Sequence, residues 1–317
     1  MRDHRIDIVM PTASKDASRM EGALRGILEN CREPIGSIYV ISPERFLSDS
    51  ISGKRIHWIP DADFPFLIED IRAIFRRKGG AYQNASWYYQ QLLKFYAFSV
   101  IGGLGDRILI LDSDYVFIRP VNFLDEDGRA MLAYGYPFQW RLGTEKYSET
   151  IEHVHADFAQ RLIPGWRPMH PWSGMQHHML FERSIIRDLF DSVEREWKKD
   201  FWKAFIENVR TDKWNAAAEY VIYHHFALWK HKQRVALRHL DAVDFIFDSE
   251  SDGPKREVLE KFSEEPENNA IGSHGFLQLR ERLSTMDYIP SDLKNKMLHS
   301  GKIVFRLELR NGALNIA

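Results

Sequence analysis

The stretch DRILILDSDYVFI, residues 106–118, decides the fold. Ile108 to Leu111 is a continuous apolar run, which predicts a strand buried on both faces inside a mostly parallel sheet. Asp112 and Asp114 follow one residue apart, so along an extended chain their side chains point to the same side. Two carboxylates this close repel each other unless a cation or a proton lies between them. An all-oxygen pair suits Mg²⁺ or Mn²⁺, so the stretch predicts a metal site, with a solvated turn as the competing interpretation.

The first sixty residues predict a strand–helix–strand start. Apolar runs at residues 6–10, 37–41 and 56–59 predict strands, and Leu24, Ile27 and Leu28 form the apolar stripe of a helix between the first two. Strands and helices alternating at this spacing predict a parallel sheet with right-handed crossovers. The loop after the first strand, PTASKD, has no glycine-rich phosphate motif, which argues against a dehydrogenase and a P-loop kinase.

A long helix delivers the chain into the acidic strand. Residues 86–101 carry an apolar face that includes Leu92 and Phe95, with Ser86 as a candidate cap. After Pro120 the chain becomes less regular and rich in Trp, Pro, Gly and His. Residues 214–230 predict a later helix, and residues 175–181 a strand leaving a loop. We therefore expect two halves, residues 1–120 and 121–317, that share one continuous sheet.

Composition narrows the class of protein. The chain has 317 residues, 44% hydrophobic and 28% charged, which is typical of a globular α/β protein. A formal net charge of −2 argues against nucleic acid as the main partner. The single cysteine, Cys31, fits a reducing compartment, and neither a signal peptide nor a membrane-spanning stretch is visible. We expect a cytoplasmic protein, with a peripheral place at the inner face of the membrane left open.

These features together resemble a GT-A-type glycosyltransferase, which uses a nucleotide-sugar donor. The resemblance rests on the βαβ start, on WYYQQLLK at residues 87–94, on LDSD at 111–114, and on Glu219, Tyr220 and Tyr223. Within that type, the chain resembles a bacterial family of glycosyltransferases with largely unassigned substrates, over roughly residues 5 to 240. The resemblance implies a Rossmann-type mixed sheet flanked by helices, with a helical, aromatic-rich acceptor half. Residues 1–120 would bind the nucleotide sugar, and residues 121–317 the acceptor, with the C-terminal segment closing the metal site.

The same resemblance implies roles for the residues around the acidic pair. Asp112 and Asp114 would bind Mn²⁺ or Mg²⁺, Asp114 as the direct ligand and Asp112 at the ribose or the metal. Donor contacts would come from the first loop, from the long helix and from the acidic turn, namely Pro11, Thr12, Asp16, Gln90, Lys94, Asp112 and Ser113. Lys94 would face the diphosphate. The metal would neutralise charge that grows on the leaving diphosphate.

Two further assignments follow from the resemblance and from local chemistry. GT-A enzymes draw a further metal ligand from a late histidine, for which His274 is our first choice because its flanking glycines allow close approach. His239 is the runner-up. Glu219 would act as the general base of an inverting reaction, whereas its plain interpretation is a first-turn helix residue stabilised by the dipole.

The remaining histidines and tryptophans predict the acceptor site. Neighbours on a strand face opposite ways, so His177 and His178 cannot both bind one ion, and we assign His178 to the acceptor side. His224 and His225 diverge on a helix for a similar reason. Trp172, in a cluster with Trp140 and Trp166, would stack on a sugar, although loop packing explains this cluster equally well.

The sequence thus predicts a metal-dependent transferase that moves a sugar from a nucleoside-diphosphate donor, with UDP the first choice, to a saccharide or lipid-linked glycan. Bacterial surface polysaccharide synthesis is the expected context, and inversion is favoured over retention. A nucleotidyltransferase is the alternative enzyme, but it should carry a basic glycine-rich loop where this chain has only Lys15. The other alternative is an inactive carbohydrate-binding protein with structural acids.

Overall fold

The computed structural model describes residues 5–45, 50–51, 53–135, 153–213, 215–238, 240, 242–246, 270–274, 303–305, 307–310 and 313–316. The helices are α1 Ala17–Asn30, α2 Ile68–Lys78, α3 Ala85–Val100, α4 Val154–Leu162, α5 Arg183–Trp197, α6 Phe201–Asn208 and α7 Glu219–Lys230. The strands are β1 Ile6–Pro11, β2 Ile35–Ser42, β3 Ser50–Ile51, β4 Lys54–Pro60, β5 Arg107–Leu111, β6 Tyr115–Phe117, β7 Ala130–Ala133, β8 His178–Glu182, β9 Val235–Arg238, β10 Ala242–Ile246, β11 Ala270–His274, β12 Ile303–Phe305, β13 Leu307–Arg310 and β14 Ala313–Ile316.

A six-stranded sheet forms the centre of the molecule, in the order β3-β4-β2-β1-β5-β8. The four inner strands are parallel, and β3 and β8 pair antiparallel at the two edges. Every residue of β1 is buried, as are the last four residues of β5, which is the pattern of strands covered on both faces. The predicted mixed α/β sheet flanked by helices is confirmed.

The two halves of the chain interleave in the sheets. Strand β8, from the second half, extends the six-stranded sheet next to β5. Strand β6, from the first half, joins β10, β11 and β12 in a separate four-stranded sheet. The described strands therefore form several sheets instead of the single continuous sheet that we expected. The division into a donor half and an acceptor half stays a prediction.

Helix α3 is the scaffold on which the later part of the chain is placed. Asn84, and not the predicted Ser86, caps it by accepting a hydrogen bond from the backbone of Trp87. The helix packs against β1, α2 and α7, and its residues from Gln91 to Phe98 are all buried. A helix buried all round belongs to the core, and α3 is the middle of one continuous apolar cluster.

Helix α7 begins later than the sequence predicts. The alanine-rich stretch after Trp214 favours a helix on local propensity. Instead, Ala216–Ala218 stay outside the helix, and Ala218 is extended. Contacts from α3 account for this, because Trp87 and Gln91 each donate a side-chain N–H to Ala217 O at 3.0 Å. The helix consequently starts at Glu219, at a position that α3 determines.

Within the described residues, no helix combines the length and the apolar character that a membrane crossing requires.

Candidate active site

The acidic pair lies at the carboxyl edge of the central sheet. Asp112 follows the last residue of β5, and Ser113 and Asp114 form the turn into β6. Thr12 follows neighbouring β1 at the same edge, where its side chain is buried. Asp112 and Asp114 are half-buried, whereas Ser113 is buried. The pair is therefore placed where open parallel sheets bind ligands.

The two carboxylate oxygens of Asp112 have different partners. Oδ1 lies 2.6 Å from Lys94 Nζ and accepts a hydrogen bond from the Tyr220 hydroxyl at 3.2 Å. Oδ2 lies 3.4 Å from His177 Nδ1. Burial alone raises the pKa of Asp112, but Lys94 and His177 outweigh that effect and hold the pKa well below its usual range. Asp112 is therefore ionised, with Oδ2 turned toward His177.

Lys94 joins the acidic turn to the start of α7. Its Nζ lies 2.5 Å from Glu219 Oε1 and donates to the Tyr220 hydroxyl at 3.2 Å, while its side chain is 3% exposed. Burial lowers the pKa of Lys94, but the carboxylates of Asp112 and Glu219 raise it by more. Burial also raises the pKa of Glu219, against the opposing effect of Lys94. One buried cation thus holds two carboxylates from segments that are far apart in sequence.

Three ligand-type side chains converge beside this ion pair. Asp112, Asp114 and His177 each offer one ligand atom within 4.8 Å of the others, and all three are half-buried. The His177 ring stacks on Tyr115 at 5.2 Å between centroids. Carboxylate oxygens with one imidazole nitrogen suit Mn²⁺ and, with water completing the shell, Mg²⁺. The donor set therefore fits a divalent metal.

The pairing of β5 with β8 brings His177 to this position. Leu111 pairs with His178 in the antiparallel ladder, and Asp112 N donates to His177 O at 2.9 Å. His177 is consequently level with Asp112 across the sheet edge. No role was predicted for His177, because alternation along a strand does not say which of two neighbours faces the site. None was predicted for Tyr220 either, whose hydroxyl reaches Asp112 and Lys94 from the second residue of α7. The register of β8 on β5 is the signal that could have identified His177.

Asp16, in the first loop, is close enough to the acidic pair for their charges to affect its pKa. Burial raises the pKa of Asp16, and the negative charges of Asp114 and Asp112 raise it further, although Lys15 and Arg19 oppose them. Pro11 ends β1 at the same sheet edge. Gln90 is half-buried on α3. The donor contacts predicted for these residues stay predictions.

The residues predicted for the acceptor lie in the protein interior. Trp172 is 5% exposed and His178 is 4% exposed. The His178 ring packs against Tyr115, Phe117 and Phe123. Trp166 is buried as well, and Trp140 lies outside the described residues. The acceptor roles of Trp172 and His178 stay predictions that this placement does not favour.

The late histidines are described only in part. Strand β11 pairs antiparallel with β6, and Gly272 is the partner of Tyr115. His274 is the last residue of β11, where it pairs with Ile246 of β10. His239 and the side chain of His274 lie outside the described residues, so the choice between them stays a prediction.

A second group of three ligand-type side chains consists of histidines, two of them on α7. His170, from the loop before β8, contacts both His224 and His225, with ring centroids 5.0 and 4.9 Å apart. His170 Nδ1 accepts the backbone N–H of Trp172, and His225 Nδ1 accepts that of Met169. A neutral imidazole has one N–H, so both rings carry it on Nε2, and His170 donates to His224 Nε2 at 2.8 Å. The proximity of the three rings is thus explained by hydrogen bonds.

Comparison with known proteins identifies the family to which the chain belongs. The profile of the "Family of unknown function (DUF6492)" matches residues 3–260. The chain belongs to this family. No curated protein matches the DUF6492 chain. Among solved structures, it is similar to mouse xyloside xylosyltransferase 1 in its apo form, at 12% identity and a TM-score of 0.41, over 84% of this chain and 97% of that one. At this identity and TM-score the likeness assigns no activity to the DUF6492 chain.

Proposed function

We propose that this protein is a metal-dependent glycosyltransferase that transfers a sugar from a nucleoside diphosphate to a saccharide acceptor. One observation carries the proposal: Asp112, Asp114 and His177 converge at the carboxyl edge of a mostly parallel sheet, beside a buried Lys94–Glu219 ion pair. This edge is where α/β proteins bind nucleotides, and the three side chains form a donor set for Mn²⁺ or Mg²⁺.

In this proposal Asp112 Oδ2, Asp114 and His177 hold the metal. When bound, the ion supplies positive charge to the diphosphate oxygens as the bond to the sugar breaks. Lys94 holds Asp112 Oδ1, so it orients the carboxylate and leaves Oδ2 for the ion. Lys94 is buried against two carboxylates, so in the state described here it acts on Asp112 and Glu219, whereas the sequence assigned it to the diphosphate.

Glu219 is the proposed general base. It would take the proton of the acceptor hydroxyl while that oxygen bonds to the anomeric carbon and the diphosphate leaves with the electron pair of the broken bond. The raised pKa of Glu219, caused first by burial, favours proton uptake over that of an ordinary surface carboxylate. Glu219→Gln tests the role: a base predicts a large loss of kcat with donor binding kept, whereas a purely structural residue predicts parallel losses of stability and donor binding.

The first experiment is thermal unfolding with UDP, GDP and other nucleoside diphosphates, each with and without Mn²⁺. A ligand that binds the native state raises the Tm in proportion to the logarithm of its concentration over Kd. We expect one nucleotide to raise the Tm only with Mn²⁺, with UDP the first to test, and Asp114→Ala to abolish the rise. If no nucleotide produces an Mn²⁺-dependent shift, the transferase proposal fails.

A further inference from the structure

A groove of about 1300 Å³ lies away from the acidic turn, along β4 and the C-terminal part of α3. Its lining reaches from Asp63 and Pro65, just after the carboxyl end of β4, to Gly53 and Gly102 at the opposite edge of the sheet. The groove therefore runs the height of the sheet. The groove is open to solvent, so a ligand longer than one small molecule can lie along it.

An exposed tryptophan lies in this groove. Trp58 is 38% exposed, and its indole N–H donates to both Ser42 O at 3.2 Å and Ser42 Oγ at 3.1 Å. The ring is thus held in place while more than a third of its side chain contacts solvent. Trp166 and Trp172, which the sequence suggested for sugar stacking, are 3% and 5% exposed. Trp58 is therefore better placed than either of them to stack on a ligand.

The rest of the lining combines flat rings with positive charge. The half-buried His57 ring stacks on the buried Tyr39 at 5.0 Å between centroids and 22° between planes, so Tyr39 supports His57 from below. Arg45 and Arg55 are exposed at the groove, and Asp63 is its one acidic lining residue among those described. Aromatic faces pack against the C–H faces of sugar rings, and guanidinium groups bind carboxylates with two parallel hydrogen bonds.

We propose that this groove binds an anionic, uronate-containing oligosaccharide, as a subsite for the distal part of the acceptor. The acceptor role rests on the proposed transferase function, whereas the binding itself does not. Strands β4 and β5 are separated by β2 and β1, so the groove lies roughly 14 Å from the acidic turn at three interstrand spacings. An acceptor several sugars long spans that distance, with Trp58 stacking on one ring and Arg55 binding a carboxylate.

The test is calorimetric titration of the full chain with a hyaluronan hexasaccharide, in which uronate alternates with a neutral sugar, and with neutral maltohexaose. We expect the hyaluronan oligosaccharide to bind, and Trp58→Ala and Arg55→Glu each to raise its Kd at least tenfold. Tyr82→Ala is the matched control, because Tyr82 is also an exposed aromatic residue, 40% exposed, that does not line the groove. This control should leave the Kd unchanged.

Three outcomes overturn the proposal: no hyaluronan binding, equal binding of maltohexaose, or a Kd that Trp58→Ala and Arg55→Glu do not change. The Mn²⁺-dependent Tm shift with nucleotide, measured on the same variants, separates the two proposals. Trp58→Ala and Arg55→Glu should keep the Tm shift and weaken oligosaccharide binding. Asp114→Ala should abolish the Tm shift and leave oligosaccharide binding unchanged. If wild-type protein binds the oligosaccharide but no nucleotide, the transferase proposal fails and the saccharide site stands.

Discussion

Among the residues that the structure describes, two groups of three side chains have the composition of metal sites, and they differ in burial, ligand type and hydrogen bonding. In Asp112, Asp114 and His177, the ligand atoms are within 4.8 Å of one another and all three residues are half-buried. In the histidine cluster of His170, His224 and His225, the atoms are equally close, but His224 and His225 are fully buried. The ligand atoms are therefore equally close in the two groups, but the groups differ in how far they are buried.

Hydrogen bonding separates the two groups further. The acidic group contains two carboxylates, and Lys94 contacts Asp112 while it is shared with Glu219. The histidine cluster carries no carboxylate, and its acceptor nitrogens already receive N–H groups. Burial lowers the pKa of His170 to about 4, and it lowers the pKa of His224 and His225 well below their ordinary value. The comparison shows that burial and the type of ligand group, more than distance, separate the two groups.

The largest effect we expect is at the cation of the acidic group. Lys94→Met should lower the free energy of unfolding by about 3–5 kcal/mol, because it leaves the half-buried Asp112 and the buried Glu219 carboxylates without their partner. Urea denaturation at pH 7 measures the loss. The double variant Lys94→Met/Glu219→Gln should recover part of it, since one of the two negative charges is then absent. A single variant as stable as wild type would contradict the ion pair.

The histidine cluster predicts a loss of stability in acid. The native His170 has its pKa lowered to about 4, while an unfolded histidine titrates near 6.5, so the unfolded state binds more protons between these values. Stability is therefore fully present above pH 6.5 and falls as the pH drops toward 4. His170 contributes on the order of 2–3 kcal/mol to this loss between pH 8 and pH 4.5.

His170→Gln tests this assignment. Unfolding free energies from urea titrations at pH 8 and pH 4.5 should differ by roughly 2–3 kcal/mol less in the variant than in wild type. A variant with the same pH dependence as wild type would show that His170 does not titrate as its burial requires.

A smaller effect is expected where the loop of His170 packs on α7. Gly174 has φ of +72°, and a Cβ at this position would lie 2.2 Å from the ring of His224. Gly174→Ala should therefore destabilise the fold by about 2 kcal/mol through strain and the clash. Gly22→Ala is the matched control, because a Cβ at Gly22 meets nothing within 4 Å. Thermal unfolding compares the two variants.

The smallest effect we expect is on Mn²⁺ affinity, and it compares the acidic group with the histidine cluster directly. His177→Ala should weaken Mn²⁺ binding by roughly tenfold, or about 1.4 kcal/mol, because one of three protein ligands is lost. His224→Leu should leave Mn²⁺ affinity unchanged, although it removes a histidine from the other group. Electron paramagnetic resonance of free Mn²⁺ gives both values. Equal losses in the two variants would contradict our assignment of the metal to the acidic group.

Local patterns in the sequence predicted the strand β5 and the helix α3, because each is determined by neighbours in the chain. The sequence favoured an extended chain for Asp112 and Asp114, with a turn as the competing interpretation, and in the structure Ser113 and Asp114 form a turn. The start of α7 could not be predicted, since Trp87 and Gln91 override the helix propensity of the alanines. His177 was missed for a similar reason. Strand alternation correctly separates it from His178, but only the long-range pairing of Leu111 with His178 determines which of the two faces Asp112.

That pairing also decides when the site can exist during folding. Leu111 and His178 meet across the antiparallel edge of the sheet, although a long stretch of chain separates them. Closing so long a loop costs conformational entropy before any contact is made, so such pairings form late. A nascent chain that ends before β8 contains both aspartates and lacks the imidazole beside them. Metal uptake is therefore expected to follow completion of the central sheet, and Mn²⁺ would act as a ligand of the finished fold.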